Sequence, residues 1–262
     1  MEVATEDKGN CVFMIIELSD IQKERYSRHL MLSEIGENGQ KKIMQAKVLV
    51  VGAGGLGSPI CLYLASAGVG QLGIVDADVV DISNLQRQII HSTETIDVPK
   101  VISARERINK LNPDVEVITY QERFTDDNSA DIVRGYDIVV DACDNLPTRY
   151  VINDACLLCN KPFVHGSIYQ FEGMTTVFLP KEGPCYRCLY PNPPPDHIMP
   201  GPMDRGLLGV LPGVIGTIQA TEVLKLILGL GESLNGRLLV YNALNMDFEM
   251  LEIKRNPDCI KH

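Results

Sequence analysis

Arg87, Lys100 and Asp144 follow a glycine-rich turn in this chain, and two cations with a carboxylate suit chemistry on phosphates. Where a phosphoryl or nucleotidyl group moves, cations stabilise the charge that builds on phosphate oxygens, and an aspartate can hold Mg2+. Hydride transfer could use the same glycine turn but gives no obvious need for that trio. Taken singly, each residue is more often an ordinary surface charge, so the weight rests on their company. The turn is Gly52, Gly54 and Gly57 in G-x-G-x-x-G, with Asp76 nineteen residues beyond Gly57. The first two glycines permit a tight bend and close approach of backbone N–H groups to a phosphate, and the third lets a helix sit against its strand. An acid at the position of Asp76 suits ribose hydroxyls. The turn alone does not say which nucleotide it serves.

Cysteines form a second set. Cys185-Tyr-Arg-Cys188 has the half-site spacing of structural zinc. Cys156-Leu-Leu-Cys159 has the same spacing but falls in an apolar helical pattern, where buried thiols are expected. His29, His91, His165 and His197 lack metal-pair spacing and are expected to be packed or surface residues.

Positioning these groups requires strands that alternate with helices. Residues 47–51 form an apolar, β-branched run that breaks at once into the glycine turn, and 58–67 continue as a helix. A second strand spans 70–75 and ends at Asp76. Helices are expected over 19–32, 39–45, 100–111 and 147–159, and strands over 116–120, 136–140 and 163–167. This alternation implies an α/β fold: a doubly wound, mostly parallel, Rossmann-like sheet with helices on both faces and ligands at the C-terminal strand ends. Arg87, Lys100 and Asp144 fall near that edge. After Ser167 the pattern changes. Strand 174–179 is followed by six prolines within 191–202, read as an exposed crossover or lid. A helix over 214–228 and antiparallel strands over 237–241 and 248–253 complete a C-terminal portion that would carry the zinc site. Residues 1–18 read as an extension, 19–168 as a nucleotide-binding half and 169–262 as a crossover, zinc and partner-binding half.

The chain has 262 residues, 45% hydrophobic and 22% charged, which suits one sizeable core with a small appendage. Its formal charge of −10 argues against a general nucleic-acid binder, leaving phosphates to a few placed cations. No apolar run is expected to span a bilayer, and the acidic N-terminus lacks the features of a secretion signal. A cytoplasmic protein without membrane contact is expected, its eight cysteines serving as thiols or metal ligands rather than disulfides.

The motifs together resemble the ThiF/MoeB/HesA family, which includes the activating enzymes of ubiquitin and its sulfur-carrier relatives. The resemblance rests on Arg25-Tyr-Ser-Arg-His29, Val50-Val-Gly-Ala-Gly-Gly-Leu-Gly-Ser-Pro59, Asp76-x-Asp-x-Val-Asp-x-Ser-Asn-Leu-Gln-Arg-Gln88, Lys100, Asp141-x-x-Asp-Asn145 and Gly213-Val-Ile-Gly-Thr-Ile-Gln-Ala220, in order and spacing. It implies ATP-dependent adenylation of the C-terminal Gly-Gly carboxylate of a small ubiquitin-like sulfur carrier, with release of pyrophosphate. By resemblance, the nucleotide site draws on Gly52, Gly54, Gly55, Gly57, Asp76, Asp78, Ser83, Asn84, Arg87, Gln88, Lys100, Asp144 and Asn145. Within that set Asp76 goes to the ribose, Asn84, Arg87 and Lys100 to the phosphates, and Asp144 to magnesium. Arg28 is implied to reach ATP in a neighbouring subunit, and hence a homodimer.

The family pairs its first C-x-x-C with a second near the C-terminus, where this chain reads Cys259-Ile-Lys-His262. A zinc site of Cys185, Cys188, Cys259 and His262 is implied, or one whose fourth position is water. Many relatives carry a cysteine in the crossover for thioester or acyl-disulfide chemistry, and Pro202 takes that place here. Proline is no nucleophile, so a separate sulfur donor is expected. Cys143 is the free thiol nearest the site, and its neighbours suggest core packing. Alternatives are adenylation of a carboxylate on modified tRNA, a nucleotide-binding regulator without turnover, and a nicotinamide oxidoreductase. The motifs do not name the carrier.

Overall fold

The computed structural model describes residues 17–192 and 206–261. Residues 1–16 of the expected extension, 193–202 of the proline-rich crossover with His197 and Pro202, and His262 lie outside the described residues. Ser19 caps α1 (Asp20–Arg25) through a capping box with Gln22, and α2 (Ser27–Leu30) follows. The single helix expected over 19–32 is therefore broken at Tyr26, whose hydroxyl accepts a hydrogen bond from the buried Asn112 amide at 2.9 Å. The chain continues through α3 (Gly36–Gln45), β1 (Lys47–Val51), α4 (Gly57–Ala67), β2 (Gln71–Val75), α5 (Lys100–Leu111) and β3 (Glu116–Tyr120). Next come α6 (Asp126–Arg134), β4 (Ile138–Asp141), α7 (Leu146–Cys159), β5 (Phe163–Tyr169) and β6 (Glu172–Phe178). Last are α8 (Tyr186–Leu189), α9 (Leu211–Leu228), β7 (Arg237–Asn242) and β8 (Asp247–Glu252).

All eight strands join one sheet in the order β3-β2-β1-β4-β5-β6-β7-β8. The first five are parallel, and β6, β7 and β8 extend the same sheet antiparallel. The C-terminal strands thus continue the parallel sheet, and six of the seven residue pairs between β5 and β6 cross the expected boundary at 168.

Alternate side chains of each strand feed opposite faces. Val48, Val50, Leu72, Ile74 and Val140 pack under α3, α4, α5 and α9, while Leu49, Val51, Val139 and Phe163 pack against α6, α7 and α8. Full burial of each such side chain stabilises by about 1.5–3 kcal/mol, which fixes the register of the strand ends that carry the chemistry. The crossover through α4 runs on one face and those through α6 and α7 on the other, so strand order reverses between β1 and β4. A crevice at such a reversal is where open α/β sheets bind ligands.

By length and composition α9 could cross a membrane, contrary to the expectation that no run would. It packs instead against α4, β5 and β6, and Gly216 explains how closely: a Cβ there would come within 2.6 Å of Pro59 Cγ and 2.8 Å of the Leu56 carbonyl oxygen.

Candidate active site

The glycine turn lies at that reversal and is tightly constrained. Gly52 has φ +106°, and a Cβ on it would lie 2.6 Å from the Ala142 carbonyl oxygen, so the ends of β1 and β4 touch there. A Cβ on Gly57 would stand 2.0 Å from the Gly52 carbonyl oxygen, which is the close strand–helix contact the sequence implies. Gly54 differs: its Cβ would meet only the Gln88 side chain, at 3.5 Å. The Gly54 carbonyl accepts hydrogen bonds from the Ser58 hydroxyl and amide at 2.7 and 2.9 Å, starting α4. The first amides of a helix have no intrahelical acceptor and form a ready donor set for an anion.

Asp76, at the end of β2, clamps the turn. Its Oδ2 accepts the Ala53 N–H at 2.8 Å and its Oδ1 the Asp78 N–H at 2.9 Å. Burial pushes its pKa up despite the nearby Lys100 charge and these two bonds. From the other side His91, 7% exposed, places Nε2 2.9 Å from the Ala53 carbonyl and Nδ1 2.8 Å from the Ser103 hydroxyl. Burial lowers the His91 pKa, so the ring is neutral and donates to Ala53. His91 is a packed residue, as expected, and one that supports the turn.

The cations stand beside this turn. Asp81 caps the short 3-10 segment Ile82–Asn84 by accepting the Ser83 N–H at 2.8 Å. Arg87 Nη1 donates to the Ser83 carbonyl at 3.1 Å, and Arg87 Cγ lies 3.7 Å from the Cβ position of Gly55. Gln88 is buried next to Gly54, and its Oε1 has no hydrogen-bond partner among the described residues. Lys100 opens α5. Its Nζ lies 3.0 Å from Asp78 Oδ2, and the lysine is 6% exposed. After β4, Asp144 is exposed, in contact at 3.5 Å with the amide of Asn145, whose Oδ1 caps α7 by accepting the Thr148 N–H. An exposed carboxylate at this strand end fits a hard oxygen-seeking cation such as Mg2+. The structure brings these residues to one edge of the sheet. Arg28 lies apart on α2, exposed, with Nη1 3.9 Å from Met31 Sδ.

Sequence reasoning missed a polar cluster beneath Asp144. Asp141 is fully buried. Its Oδ2 lies 2.6 Å from His165 Nδ1 and 3.7 Å from Arg149 Nε, and its Oδ1 accepts the Cys143 N–H at 3.1 Å and Sγ–H at 2.9 Å. Arg149 Nη2 donates to the Cys143 carbonyl at 3.2 Å, and Gln219 Nε2 to the Asp141 carbonyl at 2.8 Å. Burial pushes the Asp141 pKa up, but the His165 hydrogen bond and the Arg149 charge overcome it, so the group is held below the usual carboxylate value. Burial lowers that of His165, leaving a neutral ring that donates to an ionised Asp141. The available signal was polar residues ending apolar runs: Asp141 after Ile138-Val-Val, His165 inside β5 and Gln219 inside α9.

Far along the antiparallel side, three sulfurs converge. Cys185 Sγ lies 3.9 Å from Cys188 Sγ and 3.7 Å from Cys259 Sγ. Tetrahedral zinc with Zn–S of about 2.3 Å holds its sulfurs about 3.8 Å apart, so these thiols fit three corners of such a site. They are too far apart for a disulfide. Cys156 is buried in α7, as expected, and Cys159 is half-buried with Sγ 3.6 Å from the Ala130 carbonyl.

A model of the ThiF family matches residues 26–261. The chain is 50% identical over 246 residues to a SAMP-activating enzyme E1 of Haloferax volcanii, spanning 94% of this chain and 91% of that protein. It is 49% identical over 241 residues to a sulfur carrier protein adenylyltransferase of Thermus thermophilus, spanning 90% and 89%. An adenylyltransferase and sulfurtransferase MOCS3 of Culex quinquefasciatus is 50% identical over 252 residues, covering 96% of this chain but 57% of its own length. Among solved structures, E. coli MccB with ATP matches with a TM-score of 0.78 at 24% identity, over 90% of this chain and 73% of that one, a likeness of fold.

Proposed function

The chain belongs to the ThiF family, and from that membership we propose that it adenylates the C-terminal Gly-Gly carboxylate of a small ubiquitin-like sulfur carrier, consuming ATP and releasing pyrophosphate. It is an adenylyltransferase, as its relatives of near 50% identity are named, and the nicotinamide reading has no support among them. The observation that carries the mechanism is Lys100: a buried cation whose partner at 3.0 Å is the exposed Asp78, beside the glycine turn. A lysine held so has a reason to meet an anion brought by a ligand.

In this reading Asp76 accepts the ribose hydroxyls and the turn amides from Gly54 onward receive the phosphates. Asn84, Arg87, Gln88 and Lys100 line the phosphate path, with Asp78, Ser83 and Asn145 around it. A carboxylate attacking the α-phosphate is an anion approaching an anion. Arg87 and Lys100 reduce that repulsion and follow the charge onto departing pyrophosphate, an interaction stronger in the transition state than in the ground state. Asp144 would hold Mg2+, which neutralises phosphate charge when bound.

Arg28 would serve a second copy's site. Its exposure beside Ile21 and Met31, 72% and 74% exposed, supports a homodimer through this face. Leu244 and Met246 in the turn after β7, and Phe248 and Met250 on β8, are exposed, a surface suited to an apolar carrier face. Cys185, Cys188, Cys259 and His262 would bind a structural zinc. Pro202 and the deep burial of Cys143 favour sulfur from a separate donor, and the free thiols among the described cysteines suit a cytoplasmic setting.

The test is carrier-dependent ATP–pyrophosphate exchange with a panel of sulfur carriers bearing intact or clipped Gly-Gly tails. Exchange with at least one intact carrier, lost on clipping, is the expected result. Exchange indifferent to the tail would overturn the assignment.

A further inference from the structure

Burying Asp141, His165 and Arg149 together is costly for a fold that a well-packed apolar cluster would serve equally, since a buried ion pair repays its desolvation only with very good geometry. The register explains how they meet. Asp141 of β4 pairs directly with His165 of β5, and both side chains point to the α7 face, where Arg149 lies one turn into the helix. The edge of the Tyr186 ring closes the cluster, its centroid 5.2 Å from that of His165.

What the cluster grips is the short segment leading to Asp144. Asp141 Oδ1 holds the Cys143 N–H, and Arg149 Nη2 holds the Cys143 carbonyl. That carbonyl belongs to the peptide group whose nitrogen is Asp144's own. Gln219, from the opposite face of the sheet, holds the Asp141 carbonyl and so fixes the start of the same turn. His165 in turn holds Asp141 Oδ2 and sets the plane of the carboxylate. Both peptide groups before Asp144 are therefore oriented by buried charges.

We infer that Asp141, aligned by His165 and Arg149, is a positioning residue that sets where the Asp144 carboxylate meets magnesium and the phosphates. This rests on the assignment of Asp144 made above. Groups that orient a metal-binding carboxylate are felt in metal affinity, and their loss costs about 10–100-fold in affinity or activity.

The experiment uses the full chain with its carrier. Pyrophosphate exchange is titrated with Mg2+, ATP binding is measured without Mg2+, and melting is followed for Asp144→Asn, Asp141→Asn, His165→Asn and His165→Leu. Asp141→Asn should raise the Mg2+ half-saturation about tenfold, while Mg2+-free ATP affinity and the carrier KM stay near wild type. His165→Asn keeps an N–H donor where Nδ1 stood and should remain near wild type, whereas His165→Leu should follow Asp141→Asn. If Asp144→Asn shifts the Mg2+ dependence and neither Asp141→Asn nor His165→Leu does, the positioning role is wrong and the Asp144 assignment stands. If Asp144→Asn leaves it unmoved, the assignment itself fails. Should Asp141→Asn not fold, the contrast between the two His165 variants decides.

Discussion

Lys100 Nζ stands 3.0 Å from Asp78 Oδ2, with the lysine enclosed and the aspartate open to water. The pair is a parked cation. Replacing Lys100 leaves Asp78 solvated, so Lys100→Ala should fold normally while carrier-dependent exchange falls about 100-fold or more, the usual cost of losing one placed donor to developing charge. Arg87→Ala should behave alike. Exchange assays beside circular dichroism check both, and full exchange in either variant removes that residue from the mechanism.

The glycines of the turn divide into two kinds. A Cβ at Gly57 meets backbone at 2.0 Å, so Gly57→Ala should destabilise the fold by about 3 kcal/mol. At Gly54 the nearest atom is a side-chain nitrogen at 3.5 Å, so Gly54→Ala should keep stability within about 1 kcal/mol. In the proposed function its methyl would stand in the path of a phosphate, and the KM for ATP should rise about tenfold, or about 1.4 kcal/mol. Urea unfolding with ATP titration separates the two effects.

Burial raises the pKa of Asp76, and in the proposed function the ribose would need the charged carboxylate as acceptor. In the ATP-free protein the proton therefore returns at a higher pH than on an ordinary aspartate near about 3.9. ATP affinity should accordingly decline on acidification from above that value, and Asp76→Asn should be weak at every pH and lack the decline. The sign for stability is opposite to that of a salt-bridged acid. With the folded pKa above the unfolded one, the contribution is present at low pH and lost as pH rises through the folded value. A pH series of ATP binding, wild type against Asp76→Asn, is the measurement.

Protein made without chelator should carry about one zinc per chain. Cys185→Ser should lose it with a fall in melting temperature, whereas Cys156→Ala should retain it, because Cys156 lies apart from the sulfur cluster in α7. Elemental analysis of the three proteins decides, and a metal-free wild type would dismiss the site.

Burial and the neighbouring Asp141 charge drive the Cys143 thiol well above its ordinary pKa, so it stays protonated and unreactive. Cys143→Ala should keep exchange within about fivefold, since the Cys143 N–H that Asp141 accepts remains. Native protein should resist iodoacetamide at this position. A thiol-labile carrier adduct on Cys143 would instead reveal covalent transfer.

Much of the nucleotide-binding half was legible because its signals are local. The apolar run of β1, the glycines and Asp76 are each read from neighbours in sequence, and the structure sets them together at the strand ends. Helix α6 escaped because Asp126-Asp-Asn-Ser-Ala reads as a loop, and only Ser129, Ile132 and Val133 turn inward. At the break, Tyr26 is held by Asn112, remote in sequence, a contact of which local propensity carries no trace. Periodicity marked β7 and β8 as strands but could not say that they extend the first sheet, which is settled by edge pairing. The support beneath Asp144 was hidden for the same reason: Asp141, Arg149, His165 and Gln219 come from four elements.

The pairing of β5 with β6 has a practical corollary for anyone trimming the protein to a minimal ATP-binding fragment. Truncation after residue 168 would strip one whole flank of β5 of its partners and leave a bare, adhesive margin. Such a fragment would stack on itself instead of staying monomeric. The smallest self-sufficient piece must run through β6 and on to α9, whose Pro212 lies against Gly55 and roofs the nucleotide turn.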